Sequence, residues 1–303
     1  TAVFTNLSRD HLDYHGDLAS YAAAKARLFA MSGLKNAVIN IDDSIGRLIL
    51  ANLDPNIRAI TYSIEAQEEG GTADIYCRTI GLSPEGLRAA IHTPWGVGEL
   101  RSPLLGKFNL ANLLAVIGAA IAQGFALEDI LKAVPKLRAV SGRMELVDAG
   151  ATPSVVVDYA HTPDALEKAL QALRVHCHGK LWVVFGCGGD RDIGKRAEMG
   201  TIAETCADQV VITSDNPRSE DPQQIINQIV QGTSREVIVD SDRRAAIRQA
   251  ILAADKNDVV LIAGKGHEDY QILGAQRLPF SDQGEARLAL RAREALDLNG
   301  GLA

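Results

Sequence analysis

The chain has 303 residues, 47% of them apolar and 23% charged, with a formal net charge of −7. At roughly 150 residues per domain this suggests two domains, and the composition excludes a disordered or fibrous chain. The acidic balance argues against a nucleic-acid or anionic-membrane partner while leaving room for local basic pockets. The apolar run Leu113–Ala122 is far short of the ~20 residues that cross a bilayer. The opening at Thr1, followed directly by the apolar Ala2, Val3 and Phe4, reads as a chain cut inside a domain and carries no secretory leader. Cys77, Cys177, Cys187 and Cys206 are scattered without a C-x-x-C pair. That pattern argues against a zinc knuckle or a disulfide framework and fits a reducing cytoplasm.

In chain order, Phe4 and Ala37–Ile41 are expected as strands, and Leu18–Met31 and Asn109–Gln123 as helices. The glycine-rich Glu65–Gly98 stretch has the alternation of antiparallel hairpins at a sheet margin. Pro135–Gly142 is the candidate linker, dividing residues 1–138 from 139–303. From Ser154 the pattern is regular, with short β-branched runs at Ser154–Asp158, Leu181–Phe185, Gln209–Thr213, Glu236–Val239 and Val259–Ala263. Amphipathic segments such as Pro163–Val175 lie between them. Buried strands alternating with helices predict an α/β class, a doubly wound parallel sheet covered on both faces. Ligands of such sheets bind at the loops leaving the strands' carboxyl ends.

Those loops carry unusual polar clusters. In the first half, Asp10, His11, Asp13 and His15 offer oxygen and nitrogen ligands to a divalent metal, or simply a polar turn capping the next helix. Lys25 shares a stripe with Leu18, Tyr21, Ala22, Leu28 and Phe29. A lysine there must snorkel, find a partner or lose its charge. Asn109 opens a helix as a possible N-cap, whereas Asn112, one turn in, has no structural reason to be polar. In the second half, Thr162-Pro163 starts a helix, which leaves Asp158 and His161 unexplained at a strand end. The Gly186–Asp192 loop fails the G-x-G-x-x-G pattern at Arg191. Its Gly189–Lys195 segment matches G-x-x-x-x-G-K, but Arg196 stands where a phosphate-binding loop needs Ser or Thr. Turn chemistry covers about half of Ser214–Pro222 and leaves Arg218, whose guanidinium suits a bidentate grip on a carboxylate. Ala263–Tyr270 packs two glycines, a cation, an imidazole and two acids after a buried strand. Together these loops suggest a site for a small zwitterion, carboxylates met by arginines and amines by Asp or Glu.

The motifs TNLSRDHLDYHG (Thr5–Gly16), YAAAK (Tyr21–Lys25), GRME (Gly142–Glu145), DYAHTPDAL (Asp158–Leu166), FGCGGDRD (Phe185–Asp192), DNPR (Asp215–Arg218) and GKGHEDYQ (Gly264–Gln271) resemble, in this order, the Mur ligase family. The likeness is greatest to its diaminopimelate-adding members and runs over essentially the whole chain. It implies the remainder of a P-loop-type central ATPase domain followed by a Rossmann-like C-terminal domain. It also implies a bacterial cytoplasmic, monomeric ligase acting on small molecules, with ATP and Mg2+ as cofactors. Such an enzyme adds meso-diaminopimelate to UDP-MurNAc-L-Ala-D-Glu through an acyl phosphate in peptidoglycan precursor synthesis. By the same resemblance His11 is a magnesium ligand, and Lys25 is the lysine that becomes a carbamate beside the metal. Asn109, Asn112, Arg143, Asp158 and His161 face the nucleotide. Arg191, Asp215, Asn216, Pro217, Arg218, Gly264 and Glu268 form the pocket for the incoming amino acid. The family's P-loop and uridine-binding domain have no counterpart in this sequence, so the chain alone is expected to be inactive. The alternatives are a non-catalytic amino-acid or nucleotide-binding module, and a nicotinamide-dependent oxidoreductase, which the failed glycine fingerprint disfavours.

Overall fold

The computed structural model describes residues 1–7, 17–65, 73–148 and 151–298. They form two compact units. One comprises Thr1–Gly81, Leu87–Ser102 and Lys107–Leu137; the other comprises Leu82–Gly86, Pro103–Gly106 and Arg138–Ala303.

The first unit is built on a six-stranded sheet in sequential order, β1 (Ala2–Phe4), β2 (Asn36–Asn40), β3 (Arg58–Ser63), β4 (Ile75–Ser83), β5 (Gly86–Thr93) and β6 (Gly96–Ser102). Strands β1 to β4 pair in parallel, whereas β5 and β6 are antiparallel from Leu87↔Ser102 to Thr93↔Gly96. Strand β2 is apolar and buried at consecutive positions, as a strand covered on both faces must be. Along β5, buried Leu87, Ala89 and Ile91 alternate with more exposed residues, as on a sheet covered on one face. Helices α1 (Leu18–Ala26), α2 (Ser44–Ala51), α3 (Lys107–Ala122) and α4 (Leu127–Ala133) accompany this sheet. Helix α3 buries Leu110, Leu113, Leu114, Ile117 and Ile121, and at Gly118 a Cβ would lie 2.8 Å from Val38 Cγ1. That glycine lets helix and sheet approach closely.

The helix expected over Leu18–Met31 is shorter. It stops at Ala26 and tightens into a 3-10 turn over Arg27–Ala30. This breaks the 3.6-residue stripe, so Leu28 is 44% exposed, Leu18 is 42% exposed, and only Phe29 of the five stripe residues is buried.

The second unit holds a six-stranded sheet in the order β11-β10-β9-β12-β8-β7. Its strands are β7 (Glu145–Val147), β8 (Ser154–Asp158), β9 (Leu181–Phe185), β10 (Gln209–Ile212), β11 (Ile238–Val239) and β12 (Val259–Ala263). All pairings are parallel except β7 with β8, an antiparallel margin the sequence pattern did not announce. Consecutive strand residues point to opposite faces and build two cores. Val156, Val183, Phe185, Ile212 and Leu261 pack with α5 (Pro163–Arg174), α6 (Gly194–Cys206) and α7 (Pro222–Val230). Val155, Val157, Val184, Val211, Val260 and Ile262 pack with α8 (Arg243–Ala253) and α9 (Asp282–Leu298). The doubly wound sheet is thus present, with helices on both faces. A short hairpin, β13 (Tyr270–Leu273) with β14 (Gln276–Pro279), follows β12. Among the described residues no helix is long and apolar enough to cross a membrane.

Candidate active site

At the carboxyl edge of the second sheet, the loops after β9, β10 and β12 lie against one another. The loop after β9 approaches so closely that a Cβ at Gly188 would sit 2.9 Å from Arg218 Nη1, 3.8 Å from Arg191 Cγ and 3.8 Å from the Asn216 carbonyl oxygen. Gly189 donates its N–H to the Asn216 carbonyl at 2.9 Å, and Arg218 Nη1 donates to the Gly189 carbonyl at 2.7 Å. Arg218 therefore does not project freely from its turn. One guanidinium nitrogen is held, and its backbone is clamped by Arg218 N–H to the Ile272 carbonyl (3.2 Å) and Gly274 N–H to the Arg218 carbonyl (2.8 Å). Among the described residues neither Arg191 nor Arg218 has a carboxylate partner within 4.0 Å. Two cations gathered at a sheet edge without counter-ions are suited to an anionic ligand.

Beside them lies a buried network. Lys265 is fully buried; its Nζ donates to Asn216 Oδ1 at 2.8 Å and to the Tyr270 carbonyl at 2.9 Å. The same Nζ is 3.4 Å from Asp215 Oδ1 and 3.5 Å from Glu268 Oε2. Burial pulls the Lys265 ammonium below its ordinary value, and Asp215 and Glu268 act against that. Asn216 engages both ends of its amide, its Nδ2 donating to Glu268 Oε2 at 2.9 Å and its Oδ1 also accepting the Ile272 N–H at 2.9 Å. Pro217 is buried, and its carbonyl accepts the Glu220 N–H at 3.1 Å. Gly264 adopts φ +118°, and a Cβ there would meet Asp215 Oδ2 at 2.6 Å. The structure thus gathers Arg191, Asp215, Asn216, Pro217, Arg218, Gly264 and Glu268 on one edge. Asp215 and Glu268 are acids bearing on one lysine, a charge balance that leaves a carboxylate available to a second ammonium.

A second cluster surrounds Tyr159 at the end of β8. The Arg143 guanidinium lies 4.7 Å over its ring, His161 meets it edge-on at 4.6 Å and His267 at 5.5 Å. Asp158 accepts the Met144 N–H and the Ala160 N–H, each at 2.8 Å. Burial pushes its carboxyl above the usual carboxylate range, against those bonds and Arg143. Asp158 therefore has a structural occupation that spacing alone did not reveal, holding the backbone that carries Arg143. An exposed guanidinium over an aromatic ring fits a phosphate-bearing, π-faced ligand such as a nucleotide.

In the first unit the candidate residues are less engaged. His11, with Asp10, Asp13 and His15, lies outside the described residues. Lys25 is half-buried, its Nζ 5.1 Å over the Tyr21 ring. The stripe that demanded a special fate for it does not form. An ammonium has no lone pair for a cation, so Lys25 suits Mg2+ only as a carbamate. Asn109 lies inside the first turn of α3, which begins at Lys107, so it is not the N-cap; Asn112 Nδ2 reaches its Oδ1 at 3.5 Å. Among the described residues no cluster of three or more His, Cys, Asp or Glu side chains is placed to hold a metal.

Sequence reading missed several residues that shape this edge. Buried Arg243 donates to Asp282 through Nε (2.8 Å) and Nη2 (2.7 Å), and to the Ser214 and Ala263 carbonyls at 3.3 and 2.9 Å. Gln283 bonds Glu145 and the Gly266 carbonyl, each at 3.0 Å. At the opposite edge, in the segment that leads into β9, buried His176 accepts the Gly106 N–H on Nε2 at 2.8 Å and donates from Nδ1 to the Ser83 carbonyl at 2.6 Å.

A family model described as the Mur ligase middle domain matches residues 1–120, and one described as the Mur ligase, glutamate ligase domain matches residues 142–266. The chain belongs to the Mur ligase family. It is 52% identical over 295 residues to the UDP-N-acetylmuramoyl-L-alanyl-D-glutamate--2,6-diaminopimelate ligase of Pseudomonas aeruginosa, covering 97% of this chain and 60% of that protein. The same-named ligase of Synechococcus elongatus is 52% identical over 298 residues, with 97% and 59% covered. A solved structure of a ligase of that name superposes with a TM-score of 0.78 at 44% identity, over 97% of this chain and 60% of that one. The MurF ligase of Thermotoga maritima, solved with ADP, shares the fold at 16% identity and a TM-score of 0.64, over 98% and 62%. The chain thus spans about 60% of the length of the curated relatives it matches.

Proposed function

We propose that the chain supplies the latter part of the ATP-dependent domain (residues 1–138) and the amino-acid domain (139–303) of a bacterial, cytoplasmic acid–amino-acid ligase. That ligase joins meso-diaminopimelate to UDP-MurNAc-L-Ala-D-Glu in peptidoglycan precursor synthesis. A carboxylate is a poor acyl donor, and activation as an acyl phosphate using ATP gives the incoming amine a leaving group to displace. Mg2+, bound by His11 and a Lys25 carbamate, would neutralise the anions that meet in that step. Asn109, Asn112, Arg143, Asp158 and His161 are assigned to the nucleotide, Arg143 and His161 through the ring of Tyr159 and Asp158 by fixing the backbone beside them.

The remaining work is positioning. Arg191 and Arg218 take carboxylates of the amino acid, which L-lysine, with one carboxylate fewer, cannot satisfy equally. Glu268 and Asp215, facing Lys265, hold an ammonium end, so the zwitterion is oriented by charge at both ends. The observation that carries the reading is the pair of arginines, without carboxylate partners among the described residues, gathered around Gly188 beside the Asp215–Lys265–Glu268 network. The similarity to 2,6-diaminopimelate ligases supports it.

Isothermal titration of this chain is expected to show meso-diaminopimelate binding more tightly than L-lysine, with Arg218→Ala weakening the former more. Equal affinity for the two amino acids in the unaltered chain would sink the specificity claim. Intact-mass measurement under CO2-saturated neutral buffer tests Lys25 separately; the carbamate adds about 44 Da, and Lys25→Met abolishes the addition.

A further inference from the structure

Arg196 stands where the G-x-x-x-x-G-K pattern calls for Ser or Thr, and nothing in the reaction assigned above uses it. Its side chain has 0% exposure. A cation in the first turn of a helix faces the positive end of the helix dipole, so it needs strong partners to stay there. Arg196 finds them on three segments. Its Nη1 donates to Glu220 Oε2 at 2.7 Å and to Gln228 Oε1 on α7 at 2.6 Å. Its Nη2 donates to Glu220 Oε1 at 2.9 Å and to the Gly188 carbonyl at 3.3 Å. Gly188 belongs to the loop after β9, and Glu220 to the loop after β10.

Glu220 closes the link from its own side. Its Oε1 accepts the Asp190 N–H at 2.5 Å, and the Asp190 carboxylate accepts Ser219 Oγ at 2.6 Å. The hydrogen bonds from Arg196 and from Asp190 hold the Glu220 carboxyl down to about 2. Asp190 and Arg218 both adopt positive φ, at 55° and 53°, a strained conformation for residues other than glycine. Asp190 is itself part of this lock and directly precedes Arg191, and Arg218 directly precedes Ser219. The two arginines of the site are therefore carried on loops that a shared ion pair braces from beneath, in addition to the direct bonds of Gly189 to Asn216 and of Arg218 to Gly189.

We propose that Arg196 is a positioning residue whose bidentate pair with Glu220 fixes the gap between the Arg191 and Arg218 guanidinium groups, and thereby the preference for a ligand with a second carboxylate. This rests on the amino-acid reading of the site above. A purely structural arginine could be replaced by apolar packing with little effect on selectivity; a spacer could not.

Titration of the chain with meso-diaminopimelate and with L-lysine reads the ratio of the two dissociation constants. In Arg196→Met that ratio is expected to fall about tenfold, through lost meso-diaminopimelate affinity, with L-lysine binding nearly unmoved. Glu220→Gln is close in shape, keeps an acceptor for the Asp190 N–H, and is expected to lose about half as much on a logarithmic scale. It decides the matter if Arg196→Met fails to fold by circular dichroism. A discriminating parent whose variants discriminate equally well overturns this inference and leaves the amino-acid reading standing, as does an equal loss for both amino acids. A parent that does not discriminate overturns both.

Discussion

The candidate residues of the two units are held in very different ways. On the second sheet's carboxyl edge the buried cations are tied to other elements: Arg243 to Asp282, Arg196 to Glu220, and Lys265 to Asn216 with Asp215 and Glu268 close by. In the first unit Lys25 leans on a tyrosine of its own helix, and α1 buries no residue at all. Pre-organisation is thus a property of the second sheet's carboxyl edge. A rigid edge can select between similar ligands because a cation held as Arg218 is, by the Gly189 carbonyl, does not follow the ligand. A loosely held lysine can instead be chemically changed, since a carbamate needs room and a free amine.

That contrast breaks first at Arg243. Arg243→Met leaves Asp282 buried without its partner and frees the Ser214 and Ala263 carbonyls, so a loss of about 3–5 kcal/mol is expected in urea unfolding. A loss below about 1 kcal/mol would mean that the edge is not pinned from beneath. Gly264→Ala comes next. At φ +118° with Asp215 Oδ2 only 2.6 Å from the new Cβ, about 1–3 kcal/mol of stability should go, and amino-acid binding with it. Unchanged unfolding would show that the loop relaxes and is less rigid than its bonds suggest.

His176 sharpens the comparison through pH. Its Nε2 accepts an N–H and its Nδ1 donates to a carbonyl, so only the neutral ring fits, and burial lowers its value below the ordinary 6.5. The unfolded chain then binds a proton that the folded one refuses. Stability from this group is full above 6.5 and falls as pH drops below it, by at most about 1.4 kcal/mol per pH unit. His176→Gln should flatten that part of a stability–pH curve.

Much of this architecture was legible in the chain. Strands β8, β9 and β12 fall where unbroken β-branched runs place them, because a strand covered on both faces has no reason to be polar. The edge strand β7 was not legible, being three residues whose pairing depends on where the linker delivers them. Arg218 could be found because turn chemistry failed to explain it, and Arg191 only through the family resemblance. Their supports could not be found in the same way: the partners of Arg196 and Arg243 lie 24 and 39 residues away in the chain. A signal existed nonetheless. Both arginines stand in the first turns of helices, where the dipole disfavours a cation, and such a position implies a carboxylate from elsewhere. The stripe through Lys25 misled for a local reason, since the change from α to 3-10 winding at Arg27 turns Leu28 outward.

The smallest expected effect is on that lysine, and it tests the contrast from its other side. Lys25→Met removes a half-exposed ammonium whose one described partner is an aromatic ring at 5.1 Å. Such a contact is worth about 0.5–1 kcal/mol at an exposed site, and methionine matches lysine in helix propensity and keeps the packing of the side-chain stem. Net stability should therefore move by less than about 0.5 kcal/mol in the same urea titration. A loss of 2 kcal/mol or more would mean that the amine is buried and paired more tightly than its geometry shows, and that the first unit is as pre-organised as the second. If the change is small, the residue is expendable to the fold, and its chemistry is left to whatever ligand meets it.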